Sequence, residues 1–160
     1  MWLAVRSVVW AALLPGVFVG YVPWRYFGLA HVGLDLAAPA QLLGVVCLGV
    51  GAALLVLCIF EFARSGRGTL APVDPPRDLV VRGLYRYVRN PMYVSVTVIL
   101  LGEALLAGSW SLLVYWAAWF AAANLFVIGY EEPNLRRRFG ASYEAYARRV
   151  GRWLPGWRPR

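Results

Sequence analysis

Two short stretches of this sequence bring together side chains able to do chemistry. The first, GLYRYVRNPMY from Gly83 to Tyr93, ends in an Asn-Pro pair ahead of an apolar run. Proline at the first helical position has no N–H to lose, and asparagine just before it suits an N-cap. Tyr85, Tyr87 and Tyr93 fit interface aromatics, and Arg86 and Arg89 fit topology charges. Taken together, Arg89, Asn90 and Tyr93 beside the free N–H groups of a helix start make a cradle for a carboxylate or another polar ligand. The second stretch is Glu131-Glu132, adjacent carboxylates at the end of another apolar run. Negative charge there opposes the helix dipole. Pairing with nearby arginines is the plain explanation; holding a ligand's cationic or ribose-hydroxyl group is the chemical one.

Other candidates carry less. Glu103 lies about 11 residues into an apolar run, roughly 16 Å from its start. An acid within a membrane is functional by default, but this one falls near the outer end, where it can reach water, and a structural role is expected. Gly49-Val50-Gly51 sits inside an apolar run with no strand before it, so close helix packing is expected in place of a phosphate loop. Cys47 and Cys58 are about 16 Å apart along a helix, too far for a disulfide, and read as small packing residues. With His31 as the single histidine, no metal-ligand spacing exists.

These residues must be positioned by elements suited to lipid. Of 160 residues 61% are hydrophobic, and the mean hydropathy is +0.59. Soluble domains sit near about 45–50% apolar, so a second solvent is implied. Four runs approach the roughly 20 apolar residues that cross a bilayer core: 2–22, 41–62, 92–108 and 110–130. The expected fold is an all-α integral membrane protein, one domain with about four transmembrane helices. The first run holds Arg6 near one end and lacks a small-residue cleavage site, so it reads as a retained anchor. Gly108-Ser109 reads as a tight turn making the last two spans an antiparallel hairpin.

All sixteen basic residues are arginine, and the net charge is +8. Fourteen of them lie in the loop 63–91 or the tail 131–160, which share one face if there are four spans. Both termini are then expected to be cytoplasmic, in a multi-pass protein of the cell membrane. Arginines flanking apolar runs answer to anionic headgroups, so membrane lipids are the expected partners and nucleic acid is the weaker reading. Between the first two spans, the Leu-Ala-rich parts of 23–40 could form a short interfacial helix. The 63–91 loop carries Pro72, Pro75, Pro76 and Pro91 and is expected to be ordered. In the tail, Leu135, Phe139, Tyr143, Tyr146 and Val150 recur at helical spacing, with Gly140 as an interruption and Ser142 as a cap for a second helix. This amphipathic C-terminal helix either rests on the membrane or closes over something held at the ends of the spans.

Gly83-Leu84-Tyr85, Arg89-Asn90-Pro91-Met92-Tyr93, Glu131-Glu132, Phe139-Gly140, Tyr143, Tyr146 and Arg152-Trp153-Leu154-Pro155 occur in that order. Together they closely resemble the isoprenylcysteine carboxyl methyltransferase family, itself similar to the membrane phospholipid methyltransferases. GRGTLAP, Gly66 to Pro72, looks like its bacterial members, so the resemblance covers roughly residues 60–155. It implies an S-adenosylmethionine (SAM)-dependent methyltransferase with the cofactor at the cytoplasmic ends of the last two spans, closed over by the tail. The implied cofactor contacts are Arg77, Asp78, Leu79, Val80, Tyr85, Asn90, Pro91, Met92, Tyr93 and Glu131. Asn90 stands where the family pattern has histidine, and an amide does not titrate, so no His-type proton transfer is expected there. Val127 stands where the prenylcysteine enzymes place a substrate-facing arginine one turn before the cofactor glutamate. The resemblance therefore implies methylation of a lipophilic acceptor without assigning it as carboxylate, amine or thiol.

The expected reaction is an in-line displacement, in which alignment and exclusion of water are the protein's contribution. Arg89 is the expected catalytic side chain, steadying an anionic acceptor group. Two rival classes stand beside this one. A small four-helix transporter would need a charge deep in a span, and Glu103 is its candidate. A non-enzymatic membrane subunit would have no use for an intact Tyr93 and Glu131.

Overall fold

A computed structural model of the chain describes residues 15–29, 32–35, 37–65 and 79–156, and among these every regular element is a helix. A π-helical segment, Gly16–Tyr21, leads into α1 (Val22–Tyr26). The first expected span thus runs four residues past Val22; its earlier part, with Arg6, lies outside the described residues, as does His31. Of the stretch expected to hold a short interfacial helix, residues 30, 31 and 36 lie outside the described residues. Residues 32–35 are irregular and tied to the next helix: Gln41 Oε1 accepts the Asp35 N–H (2.6 Å) and its Nε2 donates to the Gly33 carbonyl (3.2 Å).

Helix α2 (Pro39–Ser65) is 27 residues long and contains the second expected span. After a 3-10 turn at Gly83–Arg86 come α3 (Pro91–Ala107) and α4 (Trp110–Phe126). Gly108 closes α3 in the left-handed region (φ 57°) and Ser109 Oγ caps α4 by accepting the Leu112 N–H, which makes the expected hairpin. Helix α4 does not stop at Tyr130. It passes through a π turn, Val127–Glu131, into α5 (Glu132–Phe139), and a left-handed Gly140 separates α5 from α6 (Ala141–Arg149). Both π segments end two residues before a proline, Pro23 and Pro133. Widening to i→i+5 bonding lets the helix continue where a proline ring would collide with the i−4 carbonyl.

Pro39–Glu61 and Trp110–Phe139 are long and apolar enough to cross a membrane, yet only 17% of each is buried. Leu42, Val46, Val50, Leu57, Val114 and Leu125 are exposed along them. Apolar helices with outward apolar faces require lipid, and the protein is membrane-associated. The third expected span is a 17-residue helix, α3, with its central residues buried.

Glycine sets the distance between α2 and α3. A Cβ on Gly44 would stand 2.8 Å from the Gly102 carbonyl oxygen, and one on Gly102 would stand 2.8 Å from that of Gly44. A Cβ on Gly51 would meet Ile99 Cγ1 at 2.6 Å, whereas Gly49 faces open space. The expected packing role therefore belongs to Gly51 and not to Gly49. Cys58 is fully buried and Cys47 partly so, as packing residues are. Glu103 departs from expectation: it does not reach water but is 4% exposed, and its Oε2 has no hydrogen-bond partner.

Candidate functional site

The polar end of the helix hairpin, opposite the Gly108-Ser109 turn, is built by the chain returning on itself. The Arg89 N–H donates to the Gly151 carbonyl (2.9 Å), and Val88 and Gly151 form an isolated parallel bridge. The tail is thus fastened beside the start of α3. Asn90 occupies the N-cap position but its side chain does not cap: Nδ2 donates to the Arg152 carbonyl (3.2 Å). Pro91, as the first helical residue, carries no N–H that needs an acceptor, so the helix start loses little when the Asn90 side chain does not cap it.

The neighbouring carboxylates of the π turn diverge. Glu131 is half-buried, and its Oε1 accepts the Tyr93 hydroxyl at 2.9 Å. Glu132 is 2% exposed and gathers three guanidinium groups. Arg152 binds it in a fork, Nε to Oε1 at 2.6 Å and Nη2 to Oε2 at 3.0 Å. Arg89 Nη1 reaches Oε1 at 2.9 Å, and Arg136 Nη2 approaches Oε2 at 3.6 Å. Successive residues of a helix differ by about 100° in direction, so adjacent acids face different neighbours.

Around Tyr93 the walls are aromatic. Its ring lies 6.0 Å from that of Trp119 and 6.3 Å from that of Trp153, and Phe120 lies 5.3 Å from Trp153. Trp153 Nε1 donates to Asn124 Oδ1 (3.0 Å), which fixes the tail's indole against α4. Trp116 Nε1 donates to the Thr97 carbonyl (3.0 Å), tying α4 to α3. A carboxylate, a phenol hydroxyl and several ring faces in one place suit a ligand that carries a cation and hydroxyl groups.

The tail helix closes inward. Tyr143, Tyr146 and Val150 are buried and pack with Leu79, Leu135, Phe139 and Ala147, so the apolar stripe covers protein. Tyr143 Oη accepts from Arg89 Nη1 (3.1 Å), and the Tyr146 hydroxyl donates to the Tyr85 carbonyl (2.7 Å). Burial raises the Tyr143 phenol above the ordinary tyrosine value, Glu132 adds to this, and Arg89 opposes it. Burial likewise raises Tyr146 and Tyr85, so all three stay neutral well past physiological pH. The hydrogen bond to Glu132 raises Arg152 above its already high value. Gly140 breaks the tail as expected, but Ser142 is exposed inside the first turn of α6 and caps nothing, since Gly140 takes the N-cap place.

Of the residues singled out in the sequence, the structure brings Leu79, Tyr85, Arg89, Asn90, Pro91, Tyr93 and Glu131 to this end of the molecule, with Val80 and Met92 beside them in the chain. Arg77 and Asp78 lie outside the described residues, as does GRGTLAP. Arg89 is committed through Nη1 to Glu132 and Tyr143. Pairing with arginines, expected for the two adjacent acids, holds for Glu132; Arg152 and Trp153 were named only within the resemblance, without a role, and Trp119 was not singled out. Glu61 also escaped notice: Gly83 (φ 51°) lies so close to its carboxyl group that any Cβ there would collide with it. A lone acid at the end of an otherwise apolar helix was the available signal.

The model of a family described as phospholipid methyltransferase matches residues 39–142, more than half of the chain. The match begins at the first residue of α2 and ends before Tyr143, so it takes in Tyr93, Glu131 and, of the clamp formed by Glu132 with its three arginines, all but Arg152. No curated protein and no solved structure matches the chain.

Proposed function

The chain belongs to the phospholipid methyltransferase family, a family of membrane methyltransferases, and on that premise we propose that it transfers a methyl group from SAM to a lipophilic acceptor. The observation that carries the reading is the Tyr93–Glu131 hydrogen bond walled by Trp119 and Trp153. A sulfonium cation is served by ring faces and a nearby carboxylate, and ribose or amino groups by the same carboxylate. The residues therefore fit the cofactor. Bound there, SAM supplies an electrophilic methyl group. Glu131 and Tyr93 hold it, with Asn90, Pro91 and Met92 at the start of α3 and Leu79, Val80 and Tyr85 from the preceding chain; Arg77 and Asp78 complete the proposed set.

Arg89 enters as a positioning residue: through Glu132 it fixes the carboxylate next to Glu131 and so the direction in which Glu131 points. The tail excludes water by carrying Trp153 over the site. The acceptor enters sideways from lipid, as a multi-pass arrangement with both termini cytoplasmic would allow. Its reacting group is a carboxylate, an amine or a thiol; isoprenylcysteine-like acceptors remain one class among these, with Val127 at the position an arginine would take.

Calorimetric titration of SAM into the purified protein, in detergent and in lipid, tests the reading. Binding in the micromolar range that Glu131→Gln weakens tenfold or more, about 1.4 kcal/mol, is the expected result. No binding by folded wild type in either medium would sink it. The transporter reading rests on the buried, unpartnered Glu103. Substrate-driven export abolished by Glu103→Gln would establish that reading instead.

A further inference from the structure

Behind the clamp lies an open pocket of about 310 Å³, lined by Arg89, Arg148, Arg149, Val150, Gly151 and Gly156 among others. It includes neither Tyr93, Glu131 nor any of the aromatic wall. We infer that this pocket binds an anionic phosphate group, through the guanidinium groups of Arg148 and Arg149 with Arg89 at its base.

The charge balance around the pocket argues for an anion. Of the tail's described acids, Glu132 pairs with Arg89 through Nη1 and with Arg136 and Arg152, and Glu144 pairs with Arg136 at 2.8 Å; none of these ion pairs reaches Arg148 or Arg149. Arg148 and Arg149 are exposed and have no acidic partner among the described residues. Arg89 is largely buried, with 11% of its side chain exposed, and its buried Nε–H has no hydrogen-bond acceptor among the described residues. A buried donor left without a partner is costly, most of all on a charged group, so an acceptor that reaches it is favoured. The helix dipole accounts for two arginines in the last turn of α6. It does not account for the third, buried guanidinium reaching the same cavity from a different element.

The cavity also has a firm frame. The Arg89 N–H holds the Gly151 carbonyl (2.9 Å), and a Cβ on Gly156 would stand 2.8 Å from the Arg149 carbonyl oxygen. The backbone after α6 turns back on itself without room for another atom, and it holds the end of α6 beside the chain that leads into α3. Planar guanidinium forks are matched to phosphate oxygens, and a membrane surface offers that group in lipid headgroups as the aqueous phase does in free phosphate.

The test titrates the full-length protein, in uncharged detergent, with inorganic phosphate and separately with a short-chain phosphatidic acid below its micelle concentration. Wild type is compared with Arg148→Gln/Arg149→Gln and with Arg137→Gln/Arg138→Gln, which removes the same charge from the exposed face of α5. Circular dichroism verifies that each is folded. Weakening of tenfold or more in the first variant and less than twofold in the second is expected. Response to both probes identifies the phosphate group from either source; response to the lipid alone identifies a headgroup site. Equal weakening in both variants would reduce the effect to diffuse surface charge and overturn the inference, as would absence of binding of both probes to wild type. Because binding is read without SAM, failure here leaves the methyl-transfer reading standing, and the converse also holds.

Discussion

The α2–α3 contact and the tail both demand close approach between distant parts of the chain, and they achieve it by unlike means. Along α2 and α3 the contact is bare backbone against backbone, with Gly44 facing Gly102 and Gly51 facing Ser95 and Ile99. In the tail it is long polar side chains: Arg89, Arg136 and Arg152 converge on Glu132, and the phenols of Tyr143 and Tyr146 reach the chain that leads into α3. The difference follows the solvent. Between helices in lipid there is no hydrophobic gain from association, so van der Waals contact through small residues takes over. Near water a tail of low apolar content is held by buried ions, strong where the geometry is a fork and all partners are present.

The largest effect should come from the single acid on which the tail converges. Glu132→Ala leaves guanidinium groups clustered without their counter-charge and is expected to destabilise by about 3–5 kcal/mol. Thermal unfolding, with limited proteolysis after residue 140, reads this. Glu131→Gln, one residue away, should shift unfolding by less than about 1 kcal/mol while abolishing most SAM binding. Equal destabilisation by the two would erase the distinction between clamp and site drawn at the π turn.

The glycine side of the comparison has its own control. Gly102→Leu places atoms where the Gly44 carbonyl already stands, an overpacking expected to cost about 1–3 kcal/mol. Gly49→Leu, into open space, should stay within about ±0.5 kcal/mol. Unfolding of the two variants in the same lipid decides whether contact or mere glycine content matters. A smaller loss is expected for Tyr93→Phe, which removes the hydroxyl from Glu131: roughly threefold to tenfold in SAM affinity, about 0.7–1.4 kcal/mol, with the unfolding midpoint nearly unchanged.

The smallest effect concerns pH. Tyr143 and Tyr146 are raised above the ordinary tyrosine value by burial, so in the folded state they hold their protons after the unfolded chain has lost them. Stability from this source is complete below about pH 10, where unfolded tyrosine ionises, and falls as pH rises above it. Tyr146→Phe should flatten that alkaline decline. A decline of unchanged slope would move the effect to other groups.

Much of the architecture was legible from residue order. Apolar runs, Gly108-Ser109 and Pro91 place α2, α3 and α4 because their signals are local: hydropathy, a left-handed glycine and a proline at a helix start each act within a few residues. The ordered motifs likewise located the polar end of the hairpin. The errors arose where distant chain intervened. Asn90 has every local reason to cap α3 but gives its amide to Arg152, 62 residues on. The fourth expected span ended at Tyr130, and a π turn carried the helix on through Pro133 into α5.

Sequence by itself determined that this is a helical membrane protein with arginine gathered around its polar segments, and that Tyr93 and Glu131 both lie in the stretch that matches one family. Tertiary structure alone decided which of two adjacent glutamates meets the phenol and which meets three arginines, since direction on a helix becomes meaningful only when its neighbours are in place. It also decided that Gly51 is a contact and Gly49 is not, and that Arg89 joins the clamp to a pocket behind it. Hydropathy is a property of each segment and can be summed along the chain. Ion pairing and backbone contact belong to pairs of segments, and the pairs exist only in the fold.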